Sequence, residues 1–197
     1  MGRPPQHDID SLLDTAARLV IDAGPRSVTM SAVARAAGAP SGSVYHRFPS
    51  RPALLAALWL RALDRFHAGF LHTFGDEPPL DIARAAARHV VAWCRANPHD
   101  AAILLYNAAD FEESEWPAQA REHLRRGNRS VARAIRDLAA NMGCASAADQ
   151  ELVRIAVVDV PYSVVRRYYR SGKRIPRYAE DLAEESAAAL LRDRAAG

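Results

Sequence analysis

Apolar residues recur along this chain with the 3.6-residue beat of an amphipathic helix, and the two-residue alternation of a half-buried strand is almost absent. Ile9, Leu12, Leu13, Ala16, Ala17 and Val20 fall at i, i+3, i+4 and i+7, which predicts a first helix from about Asp8 to Ala23, stopped by Gly24-Pro25. Short helices follow at about 31–37 and 40–46, with Gly38 between them, and Phe48-Pro49-Ser50 leads into a long helix at 51–72. After the turn-forming run Gly75 to Pro79, helices are expected near 80–96, 99–110, 117–141, 147–172 and 177–193, with a kink or break at Pro161. The expectation is an all-α protein of about nine helices. An N-terminal three-helix module would occupy 1–50, and a larger helical part 51–197.

Composition narrows the class. Hydrophobic residues make up 49% of 197 residues and charged residues 25%, enough apolar content to bury a core and argue against disorder. No run approaches the roughly 18–20 apolar residues of a membrane span. Met1 to Asp8 lack the apolar centre of a secretion signal, so the expected location is the cytoplasm. Cys94 and Cys144 belong to no paired motif and read as small buried hydrophobes.

Charge position says more than net charge, which is only +3. Between Asp22 and Asp64 lie 41 residues without an acid, carrying Arg26, Arg35, Arg47, Arg51 and Arg61. Such a block suits a polyanion partner or forms a solvated basic face. Inside it, Val33, Ala34 and Ala37 on one short helix and Val44 and Phe48 on the next are small or apolar enough for close crossing, and Gly38 can make a tight turn. That is the pattern of a helix-turn-helix, with Ser41, Gly42 and Ser43 offering short polar groups to a groove and Tyr45, His46 and Arg47 offering donors to phosphates.

In order, Thr29-x-x-x-Val33-Ala34-x-x-Ala37-Gly38-x-x-x-Gly42-x-Val44-Tyr45-x-x-Phe48-x-x-Arg51-x-x-Leu54 resembles the DNA-binding domain of the TetR/AcrR family of transcriptional regulators over about residues 8–60. Two positions depart from the family pattern: Pro40 stands where Ser or Thr is usual, and Arg51 where Lys is usual. The resemblance implies that Thr29 caps the second helix near a phosphate, that Ser41, Gly42 and Ser43 face the major groove, and that Tyr45 and His46 grip the backbone. It also implies a phosphate contact for Arg51, and Arg47 is a plausible extra one. Pro40 loses a polar contact but can meet a thymine methyl.

For the C-terminal part the resemblance implies an effector pocket and a dimer interface without naming the ligand. Aromatic and embedded polar residues are the pocket candidates: Phe66, Phe70, Trp93, Tyr106, Phe111, Trp116, Asp159 and Tyr162. Asp159 sits in the apolar run Ile155 to Tyr162, where it either needs a buried partner or faces solvent or another subunit. Apolar stripes including Val153, Val157 and Val164, and Leu182, Ser186 and Leu190, are either the faces of a four-helix dimer contact or internal core. No catalytic motif is present, and His89, Cys94, His99 and His123 lack the spacing of a metal site. The expected protein is a non-enzymatic, cofactor-free homodimer that binds double-stranded DNA as a repressor and is released by a small, mainly apolar effector. An activator, a ligand-independent regulator, or a helical carrier or enzyme with an unused helix-turn-helix are the alternatives.

Overall fold

The computed structural model describes residues 9–144 and 146–194, all of whose regular structure is helical. Among the described residues nine helices follow one another: α1 (Ile9–Ala23), α2 (Met30–Ala37), α3 (Ser41–Arg47), α4 (Arg51–His72), α5 (Pro79–Ala96), α6 (Pro98–Leu104), α7 (Ala118–Asn141), α8 (residues 147–170) and α9 (Tyr178–Leu191). The expected start of the first helix at Asp8 lies outside the described residues. Short 3₁₀ turns occupy Pro25–Ser27, Ala108–Phe111, Glu113–Glu115 and Arg192–Arg194.

Two elements differ from the expectation. The helix expected at 99–110 ends at Leu104. Asn107 and Asp110 then form a reciprocal capping box, in which the Asn107 backbone N–H donates to Asp110 Oδ2 at 2.8 Å, and the chain starts afresh as a 3₁₀ turn. In α8 the strain expected at Pro161 is absorbed without a break. The α-helical segment Ala147–Arg154 passes into a π-helical stretch, Ile155–Asp159, and returns to α-helix over Val160–Arg170. Proline has no N–H to give and its ring crowds the preceding turn, and widening that turn to i→i+5 bonding relieves both.

The chain divides into two compact units. The first takes in the chain up to Leu63 together with His99–Arg125. Its core draws Leu12, Leu13, Ala16 and Val20 from α1, Val33 and Ala34 from α2, Val44 from α3, and Leu54, Leu55, Leu58 and Trp59 from α4. Ile103, Phe111 and Trp116 complete it. Phe111 and Trp116, expected in an effector pocket, are therefore fully buried structural residues of this unit: the Phe111 ring lies 5.2 Å from that of Trp59, and the Trp116 indole N–H donates to the Phe111 carbonyl at 2.7 Å.

The second unit comprises Asp64–Pro98 and the chain from Arg126 on. In it α5 and α9 pack through small side chains, Ala83, Ala86, Ala87 and Val90 on one and Ala179, Ala183 and Ala187 on the other, all buried. Val153 and Val157, candidates for a subunit contact, have no exposed surface and are core of this unit, because the inward stripe of α8 is used up within the protomer. Val164 is half-buried.

Candidate nucleic-acid interface

Thr29 starts α2 with its Oγ1 accepting the Ala32 backbone N–H at 3.1 Å, which fixes one of the helix's unpaired donors. Gly38 ends the helix at φ 63°, and the Ala39 N–H returns to the Ala34 carbonyl at 2.9 Å, closing the turn that swings α3 across α2. Pro40 precedes the first turn of α3, and the Ser43 N–H donates to its carbonyl at 2.9 Å. Val44 and Phe48 point into the core with Val33 and Ala34.

The opposite side of α3 is left to solvent. Pro40, Ser41, Gly42 and His46 are exposed, Ser43 is half-buried, and Tyr45 keeps 56% of its surface accessible despite its size. A Cβ built on Gly42 would meet nothing within 4 Å, so the fold itself does not demand glycine there and the missing side chain leaves an open approach. Arg47 lies back along α3, its Nη1 3.4 Å from the Ser43 carbonyl.

Arg51 is placed differently from the expected phosphate contact. Its Nε donates to the Val28 carbonyl at 2.6 Å, its Nη2 to the Pro25 carbonyl at 3.2 Å, and its Nη1 to Glu112 Oε1. A guanidinium so occupied is a tie inside the protein, a role invisible from a sequence in which Glu112 is 61 residues away. Arg61 is likewise engaged, by Asp14 at 2.8 Å and Asp10 at 3.2 Å on α1. Of the five arginines in the acid-free stretch, Arg26 and Arg35 are exposed and Arg47 is half-buried, and these three carry its outward charge. Arg26 and Arg35 were readable only as members of that charge block.

The candidate pocket residues separate. Phe66, Phe70 and Trp93 do come together: Phe66 stacks on Phe70 at 5.7 Å and meets Trp93 edge-on at 5.3 Å, with the His89 ring 5.6 Å from Phe66. His89, which the sequence offers only as an isolated candidate metal ligand, has a buried Nε2 with no hydrogen-bond partner. Burial holds its pKa below the ordinary histidine value, against the opposing pull of the Phe66 backbone. Tyr162 is half-buried in the same unit, with burial raising its hydroxyl pKa. Tyr106 instead lies in the first unit, its ring 6.1 Å from Phe111. Asp159 is no embedded acid: Arg154, one turn earlier on the same helix, pairs with it at 3.0 Å at the surface. Leu182 and Leu190 are 49% and 40% exposed, and Ser186 is half-buried. Among the described residues no three His, Cys, Asp or Glu side chains gather so as to hold a metal ion, and no helix is long and apolar enough to cross a membrane.

Residues 12–58 match the model of the bacterial regulatory proteins of the tetR family. This head is a TetR-family domain. The TetR likeness of fold extends over the rest of the chain. A TetR-family transcriptional regulator, PfmR from Thermus thermophilus, superimposes with a TM-score of 0.70 at 19% identity, over 94% of this chain and 96% of that one. The fatty acid degradation regulator FadR from Bacillus halodurans gives 0.69 at 15% identity, over 97% of each chain. FadR from Bacillus subtilis, solved in complex with stearoyl-CoA, gives 0.69 at 13% identity, over 93% of this chain and 97% of that one. No curated protein matches the sequence.

Proposed function

We propose that this protein is a dimeric transcriptional repressor that places α3 of each protomer in the major groove of a pseudo-palindromic operator and is released by a small, mainly apolar effector. The observation that carries the reading is the outward face of α3. Ser41, Gly42 and Ser43 present little bulk there, Tyr45 and His46 present exposed donors, and the flanking 41 residues contain arginine but no acid. Short hydroxyl side chains discriminate weakly between bases, so backbone grip and the deformability of the site supply much of the specificity. Thr29 and Arg47 add phosphate donors, and Pro40 offers an apolar contact to a thymine methyl.

Leu182, Ser186 and Leu190 mark the dimer face on α9. The effector site is assigned to the neighbourhood of Phe66, Phe70 and Trp93, whose clustered aromatic rings suit contact with an aliphatic or aromatic molecule. Structural neighbours that regulate fatty-acid metabolism, one of them bound to stearoyl-CoA, make a fatty acyl thioester the first ligand class to try. Such a ligand weakens operator binding only by the difference in its affinity for the DNA-competent and DNA-incompetent states.

Duplex fragments from the promoter of its own gene, titrated at several salt concentrations, test the reading. Tyr45→Phe, His46→Ala and Arg47→Ala are expected to weaken binding to all duplexes alike; loss of the Arg47 charge makes the slope of log K against log salt shallower by about one, whereas loss of the uncharged Tyr45 hydroxyl leaves it unchanged. Parent protein that ignores every duplex at low salt, or variants that match the parent throughout, would refute it.

A further inference from the structure

Arg51 spends all three guanidinium nitrogens inside the first unit, and the residue that completes its set of partners is Glu112. Two of the three guanidinium nitrogens hold the Val28 and Pro25 carbonyls, which belong to the 3₁₀ turn that ends just before the Thr29 cap of α2. The third holds Glu112. Glu112 comes from the connection between α6 and α7, which is far along the chain yet part of the same compact unit as the head.

That connection is firmly anchored on both sides of Glu112. Phe111 is buried against Trp59 of α4, Trp116 donates to the Phe111 carbonyl, and the Asn107–Asp110 capping box fixes the entry. Glu112 itself has φ 60°, and it is the one non-glycine among the described residues with a positive φ. A glycine would adopt this conformation without strain. What a glycine could not supply is the carboxylate that meets Arg51. A strained backbone retained where its side chain makes a specific contact points to a use for that side chain.

We propose that Glu112 is a positioning residue for DNA binding: through Arg51 it holds the turn at residues 25–28, and with it the start of α2, in the pose that presents α3 to the double helix. Glu112 does not touch DNA in this account, and Arg51 acts as a brace and not as a phosphate contact. The inference rests on the DNA-binding reading for its consequence, but the brace has a readout of its own.

The experiment compares the full-length parent with E112Q and E112G. Amide hydrogen exchange in the absence of DNA should accelerate at Val28 and Ala32 in both variants, since their donors serve the turn and the cap that the brace supports. Binding to a generic 30-base-pair duplex at low salt should weaken roughly 5- to 10-fold in both, a coupling of ordinary size, with an unchanged slope against salt. E112G relieves the positive φ, so its melting temperature should match or exceed the parent's while its DNA affinity falls, which separates positioning from loss of folding. Tighter binding by E112Q with a slope steeper by about one would overturn the proposal, because Glu112 would then be withholding Arg51 from phosphate. Unchanged exchange and affinity would overturn it too, reducing the pair to an incidental surface contact. Should the parent bind no duplex at all, the DNA reading fails while the exchange measurement still decides the brace.

Discussion

At single positions the backbone conformation and the surroundings of a side chain decide what a substitution does. Gly38 sits at φ 63° with open space where a Cβ would go, so Gly38→Ala meets no clash and isolates the cost of the left-handed conformation. That cost is about 1 kcal/mol, and thermal denaturation should show a fall of about 3 °C. His89 is governed by burial, which favours its neutral form. In the unfolded chain an ordinary histidine takes up its proton near pH 6.5, whereas folded His89 resists until the pH is lower. Its contribution to stability is thus fully present above about pH 6.5 and is lost as the pH falls below it, where only the unfolded state gains the proton. Denaturant melts of the parent and His89→Phe should therefore diverge in favour of the variant as the pH falls below about 6.5, and a constant difference would show that burial does not bias this imidazole. Gly38 could be picked out from sequence because its role is local. His89 could not, because its environment is made by Phe66 and Phe70 on another helix.

Between elements, the contact of α5 with α9 combines alanine packing with a ladder of ion pairs. Glu180 is buried, yet it accepts from Arg95 at 2.6 Å and Arg88 at 3.1 Å. Asp181, largely exposed, also meets Arg88 at 2.6 Å. Distance alone would rank these acids together, but solvent does not. Glu180→Gln should cost about 2 kcal/mol, since charge-assisted bonds are lost where water cannot replace them. Asp181→Asn should cost about 0.5 kcal/mol or less, as for other exposed pairs. Equal losses in urea denaturation would mean that burial does not set their weight. The helices themselves were legible in sequence wherever an apolar stripe met a clear boundary, as in α1, stopped by Gly24, and α4, started after Pro49-Ser50. Where local hydrogen bonding competed with periodicity, as at Asn107 with Asp110, the expected helix ran on too far.

For the molecule as a whole, the proposed assembly depends on an apolar surface that the protomer does not use. On α9, Ala179, Ala183 and Ala187 face inward, and Leu182 and Leu190 remain outside. Leu182→Arg with Leu190→Arg should convert a dimer into monomers in sedimentation equilibrium, and DNA affinity should drop with it as the second head is lost. A double variant that keeps the parent's mass would move the interface elsewhere.

The helical class, the turn at Gly38 and the polar outward face of α3 are written into the local order of residues. These follow from hydrophobic period and backbone preference, which act over a few residues at a time. Long-range packing divided up the shared chemistry. It committed Arg51 to Glu112 and two carbonyls, buried Phe111 and Trp116 in the first unit's core, turned Val153 and Val157 inward, and paired Asp159 with Arg154 at the surface. An arginine, an aromatic ring or a valine stripe serves equally well inside or outside. Its role is fixed by which distant segment arrives beside it, and that is a property of the packed chain.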